Sequence, residues 1–254
     1  MRNSIIQLAN KLVDIKVCNI ITICMFACGI LAGILGEDSV FSLIVVRVIF
    51  CLINFLIASI LMTTGKKPIF LLCVYMGILC FFLYQVWNLC NYLWIGSDSG
   101  TYMVSGLSNA GFYLFLFTAS YGALDSLVDD GTKSFRKYRR KGALGSIVVT
   151  FFWIITIDRD NGFGTVIVGI TLTILSYIII KHIVIPDVEN GFVVTLRKYY
   201  IIIRIMIIIR VIEILLTAIE APDHLISLLR FLGAALSIWV FPLAYRGAKK
   251  WISM

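Results

Sequence analysis

The length of the apolar runs constrains this chain more than anything else in it. Eight such stretches, at 17–35, 41–62, 69–95, 106–124, 142–157, 164–185, 199–219 and 225–245, take up most of the sequence. A hydrocarbon core ~30 Å thick is crossed by roughly 20 helical residues. These runs match that length, with 142–157 the shortest. Continuous apolarity means helices, because a membrane barrel would alternate apolar and polar residues in segments of about ten. With 60% hydrophobic and 14% charged residues, the chain departs far from the roughly one-half and one-quarter of soluble domains. Its charges lie in short clusters between the runs, so no separate soluble domain is expected. The reading is an all-α, polytopic transmembrane bundle of about eight spans, one integral membrane domain over residues 1–254.

Charge sets the expected orientation, since Lys and Arg favour cytoplasmic loops. With the N-terminus inside, every one of the 22 Lys and Arg residues except Arg47, Arg159, Arg204, Arg210 and Arg230 falls at the cytoplasmic face. The opposite face then carries Glu37, Asp38, Asp98, Asp158, Asp160, Glu220 and Asp223. Both termini are cytoplasmic in this scheme, and the location is the plasma (inner) membrane. The net charge of +8 is then a topology signal and gives no reason to expect a nucleic-acid partner. All seven cysteines lie inside apolar runs, where they read as small packing side chains and imply no disulfide framework.

Ionisable and amide side chains inside a span are costly and normally face protein or water. Counted from the outer end of each run, Arg47, Asn88, Arg210, Glu213 and Arg230 lie about five to nine residues deep, in one layer of the outer half. Helical periodicity puts Arg47 with Asn54, Tyr84 with Asn88 and Asn91, Arg210 with Glu213 and Thr217, and Arg230 with Ser227 and Ser237. Gln85 adjoins this layer and Asn109 sits slightly shallower. The set Arg47, Gln85, Asn88, Asn91, Asn109, Arg210, Glu213 and Arg230 is expected to line a polar cavity open to the outside. Three arginines against one glutamate favour an anion, and the guanidinium fork suits carboxylate or phosphate. The alternative is that Glu213 bridges arginines and the amides join helices, with no ligand. Arg204 lies about five residues from the inner end, where it can snorkel to the surface.

At the inner face, residues 133–141 carry six cations: Lys133, Arg136, Lys137, Arg139, Arg140 and Lys141. They are expected to contact anionic membrane lipid or a cytoplasmic partner protein. Just before them, Asp125-x-x-x-Asp129, with Asp187-x-Glu189 further on, offers hard oxygen ligands. The DxxxD spacing resembles the Asp-rich motifs of membrane prenyltransferases. That resemblance implies Mg²⁺ held by Asp125, Asp129 and Asp187 and a transferase activity, although a second DxxxD is absent. Gly106-Leu-Ser108-Asn109 differs from the GxSG of rhomboid proteases at Asn109, and the outer half of the sixth run has no histidine. Two histidines, His182 and His224, are too few for a haem bundle or an HExxH zinc site, and no cofactor is expected. The leading functional expectation is a transporter, channel-like subunit or receptor for an anionic or amphiphilic ligand. The alternatives are the Asp-rich transferase and a structural or effector subunit, with homo-oligomers allowed in every case.

Overall fold

The computed structural model describes residues 11, 14–35, 38–63, 68–96, 103–125, 129, 131–156, 163–186 and 191–252. Eight α-helices run through them: α1 Ile15–Leu35, α2 Ser39–Thr63, α3 Ile69–Ile95, α4 Met103–Ser120, α5 Arg136–Ile154, α6 Phe163–Val184, α7 Gly191–Ala218 and α8 Asp223–Ile252. No strand occurs among the described residues.

Local chemistry fixes several of the helix ends. Asp38 opens α2 by accepting from the backbone N–H groups of Val40 and Phe41 at 3.0 and 3.1 Å, the geometry of a side-chain N-cap. The same carboxylate accepts from the Tyr92 hydroxyl near the end of α3. That bond, followed by the two backbone bonds, holds the exposed Asp38 carboxyl below its ordinary pKa. Gly96 ends α3 in the left-handed region, at φ 76°, with its N–H on the Tyr92 carbonyl, a conformation that suits a residue without Cβ. Within α8, Pro242 cannot donate to the preceding turn. In that turn the buried Asn54 amide of α2 donates to the Ser237 carbonyl at 3.0 Å.

Short connections make successive helices antiparallel. One end of the bundle, the acidic end, collects the starts of α2, α4, α6 and α8; the basic end collects their finishes. Helices α2, α3, α4, α6, α7 and α8 pack in that order into a closed ring, with α1 against α2 and α8 and α5 against α6 and α7. The parallel pair α4 and α6 meets at glycine: a Cβ on Gly106 would stand 2.8 Å from the Gly164 Cα.

The solvation pattern is inverted relative to a water-soluble protein. Arg47, Gln85, Asn88, Asn109, Glu213 and Arg230 are buried, while Ile23, Ile34, Leu144, Phe151 and Ile219 are exposed. Large apolar surfaces outside and polar groups inside are what a hydrocarbon solvent demands.

Five helices, α1, α2, α3, α6 and α8, are long and apolar enough to cross a membrane. The expectation of eight comparable spans is therefore met unevenly. Helix α4 has 18 residues and includes Ser105, Ser108 and Asn109. Helix α7 is 28 residues long and carries Arg197, Lys198, Arg204, Arg210 and Glu213. Helix α5 begins at Arg136 rather than at 142, so most of the basic stretch read as a loop is helical. Beyond α4, residues Tyr121–Asp125 form a π-helical turn.

Candidate functional site

The ring of helices encloses two clusters of charge, one toward each end. Near the acidic end, α7 presents Arg210 and Glu213 three residues apart on one face, and α8 brings in Arg230. The Arg230 Nε donates to Glu213 Oε1 at 2.6 Å, and Arg210 Nη1 pairs with the same oxygen. With the Asn109 amide turned so that its oxygen faces the guanidinium, that oxygen accepts from Arg210 Nη2 and Nε, each at 3.0 Å. Arg210 also lies 5.8 Å from the centroid of the Tyr84 ring and donates to its hydroxyl at 3.4 Å. Four helices, α3, α4, α7 and α8, thus meet around the Arg210–Glu213 pair.

A cavity of about 20 Å³ lies among these groups, lined by Tyr84, Gln85, Asn109, Tyr113, Arg210 and Arg230. It has room for about one water-sized group. Gln85, Asn109, Arg210, Glu213 and Arg230, all expected from sequence, meet at this cavity. Arg47, Asn88 and Asn91 are buried on α2 and α3 but are not among its lining residues. Tyr113, absent from the sequence-derived set, joins the wall from the α4 face that carries Asn109, one turn on. Arg204 is exposed and takes no part.

Hydrogen bonding in this layer is incomplete. Both polar atoms of Gln85, both of Asn88 and the Asn91 Nδ2 are buried without a hydrogen-bond partner. A buried amide in that state costs on the order of 1–3 kcal/mol, so native interiors normally supply protein or water to it. Among the described residues one buried acid, Glu213, serves both Arg210 and Arg230.

At the basic end, Asp125 and Asp129 meet partners to which the sequence did not point. Lys181 and His182 close α6, where cations also suit the helix dipole. The Lys181 ammonium pairs with Asp125 and lies 3.3 Å from Asp129. His182 Nε2 lies 3.0 Å from the same Asp125 oxygen, and its ring meets Tyr200 edge-on at 5.1 Å. Asp129 is held in place by its bond from the Gly131 N–H at 3.0 Å. Arg139 braces this turn through the Thr132 and Gly131 carbonyls and stands 3.8 Å from Asp129. Burial works against charge on Asp125, yet the His182 and Lys181 hydrogen bonds and the Lys181 charge hold its carboxyl below the ordinary value.

This arrangement bears on the resemblance to Asp-rich transferases. The Lys181 ammonium occupies the space between Asp125 and Asp129 that a divalent cation would need. Asp187 lies outside the described residues. Among the described residues no group of three or more His, Cys, Asp or Glu side chains is placed to hold a metal ion. Of the six basic residues at 133–141, Lys133, Arg136, Lys137, Arg140 and Lys141 are exposed, while Arg139 turns inward to Asp129. All seven cysteines are free thiols, and His224 is exposed.

No protein-family model, curated protein or solved structure matches this chain.

Proposed function

We propose that this protein crosses the plasma membrane eight times with both termini cytoplasmic, and binds the acidic group of an anionic or amphiphilic solute in the polar layer of its outward half. A transporter, channel-like subunit or receptor would use such a site. The observation that carries the reading is the double deficit of that layer: more guanidinium than carboxylate, beside amides whose hydrogen bonds the protein leaves unmade. A carboxylate or phosphate group supplies negative charge, and acceptor oxygens for the unmade bonds of the amide N–H groups. In this reading Arg47, Arg210 and Arg230 provide charge, Glu213 orients two of them, and Gln85, Asn88, Asn91 and Asn109 provide hydrogen bonds. Because the cavity holds only a water-sized group, a larger solute enters by opening the Arg210–Tyr84 contact.

Native mass spectrometry of the protein released from mild detergent tests this. The wild-type chain is expected to retain an anionic species that Arg210→Ala loses and Arg204→Ala keeps. Gln85→Leu guards against a mere folding defect, because it removes two unpaired polar atoms without breaking an ion pair. It should weaken retention while leaving the empty protein at least as stable. A bare wild-type protein, or equal losses in Arg210→Ala and Arg204→Ala, overturns the proposal.

A further inference from the structure

A second and larger cavity lies apart from both clusters. It lies at the basic end, where the start of α7 and the finish of α8 meet the beginning of α1, and its volume is about 660 Å³. That is the scale of ligand pockets, which run from roughly 300 to 1,000 Å³. Its described walls carry Lys198 from α7 and Arg246, Lys249 and Lys250 from α8, together with the carboxylate of Asp14. Arg246, Lys249 and Lys250 stand at i, i+3 and i+4, so α8 offers them on one face.

Lys198 is brought opposite that face by close helix packing. A Cβ on Gly247 would stand 2.4 Å from the Leu196 Cδ2 and 2.9 Å from the Thr195 carbonyl oxygen. Only a residue without a side chain lets α7 and α8 approach this far at that point. The two helices therefore bring Lys198 and Arg246 to the two walls of one cleft, where a single anion can meet both. We infer that this basic-end pocket binds a phosphate group, with Lys198 and Arg246 as its principal cations.

Phosphate fits better than a single carboxylate because its several oxygens can accept from cations on both walls at once. Two sources could present it: the headgroup of an anionic phospholipid, or a soluble phosphate compound. The apolar wall of the pocket includes Ile15 and Leu243, and Ile20 and Ile23 of α1 are exposed. A lipid could thus seat its headgroup among the cations and lay its chains along α1, as basic pockets between helices do elsewhere.

The test is titration of the full-length protein, in mild detergent, with phosphatidylglycerol and with zwitterionic phosphatidylcholine, read by native mass spectrometry. Inorganic pyrophosphate serves as the soluble probe. The variant is Lys198→Gln with Arg246→Gln; both side chains are exposed, so unchanged melting is expected. The control is Lys11→Gln with Lys16→Gln, exposed cations at the same end that do not line the pocket. The preference for phosphatidylglycerol should fall about fivefold for each pocket cation removed, stay level in the control and return with Lys198→Arg and Arg246→Lys. Displacement of phosphatidylglycerol by pyrophosphate would identify a soluble phosphate compound as the ligand; no displacement would identify the lipid. Equal falls in variant and control, or a wild-type protein that prefers neither phosphatidylglycerol nor pyrophosphate, overturns the inference.

Discussion

The two buried charge clusters are built from similar groups but solve different problems. At the basic end, two aspartates face a lysine, a histidine and an arginine. The two carboxylates meet the charges of Lys181 and Arg139, and His182 adds a hydrogen bond to Asp125. Toward the acidic end, one glutamate serves two arginines from within two helices, and neighbouring amides lack partners. A compensated cluster joins helices and needs nothing further. An uncompensated cluster in a low-dielectric interior keeps a demand for negative charge and hydrogen-bond acceptors. That asymmetry places the proposed solute site in the acidic half and gives the basic-end cluster a structural role.

The largest expected effect comes from deleting the shared carboxylate. Glu213→Ala leaves Arg210 and Arg230 buried against each other, and removing one partner of a buried pair costs about 3–5 kcal/mol. Thermal unfolding in detergent should show this as a large drop, with part of it recovered when Arg230→Met is added. Such recovery identifies unpaired charge as the cause, since cavity formation would make the second change additive. If a supplied anion restores Glu213→Ala more than it restores Arg230→Met, the uncompensated character of the layer is sharpened further.

A smaller effect is expected at the other end. Lys181→Met removes the ammonium between Asp125 and Asp129, but these carboxylates remain near Arg139 and His182 and retain some access to water. A loss of about 2 kcal/mol at neutral pH is expected. Its pH dependence distinguishes the cluster from the acidic-end layer. The Asp125 carboxyl is held below its ordinary value in the folded protein. Its contribution is therefore complete above the unfolded pKa of about 3.9 and disappears as pH falls through the lower folded value. Lys181→Met takes away one cause of that lowering and leaves the burial that opposes it. Melting temperatures of wild type and variant should diverge at neutral pH and converge below about pH 4. Parallel curves across that window would mean that Lys181 acts through packing and not through charge.

How far each cluster could be read from the sequence follows from the kind of information it uses. The polar layer was legible because its members interrupt long apolar runs: Arg47, Asn88, Glu213 and Arg230 each stand out against hydrocarbon neighbours, and 3.6-residue periodicity assigns them faces. Depth counting then placed several in one layer, although it could not say that Asn109 would share Arg210 with Glu213. At the basic end Asp125 and Asp129 stood out as a spaced pair, but their pairing with Lys181 and His182 was not legible, because charged residues are ordinary at helix ends. Lys181 read as one more positive-inside charge, and His182 as one of two histidines too few for a haem or zinc site. Their partners Asp125 and Asp129 lie more than fifty residues away, beyond a π-helical turn, whose altered register no apolar period records. The same difficulty hid the start of α5, since the sequence Arg-Lys-Tyr-Arg-Arg-Lys gives no apolar signal for helix.

The smallest predicted effect isolates a helix that lies outside the ring. Helix α5 is fastened to α6 through Thr173, whose hydroxyl lies 2.9 Å from Thr150 Oγ1 and accepts from Trp153 Nε1 at 2.9 Å. Thr173→Val preserves shape but removes both contacts, and bonds of this kind between membrane helices average about 0.6 kcal/mol each. A loss near 1 kcal/mol is expected, visible as a modest drop in melting temperature. The change should leave the acid limb of the pH profile and the retention of any anionic species as in wild type, because neither charge cluster uses Thr173. Helix α5 does touch the basic-end cluster once, through Arg139 and Asp129. Should Thr173→Val shift the acid limb, the α5–α6 contact would be what holds Arg139 in place, and the basic-end cluster would depend on a peripheral helix in a way that the acidic-end layer does not.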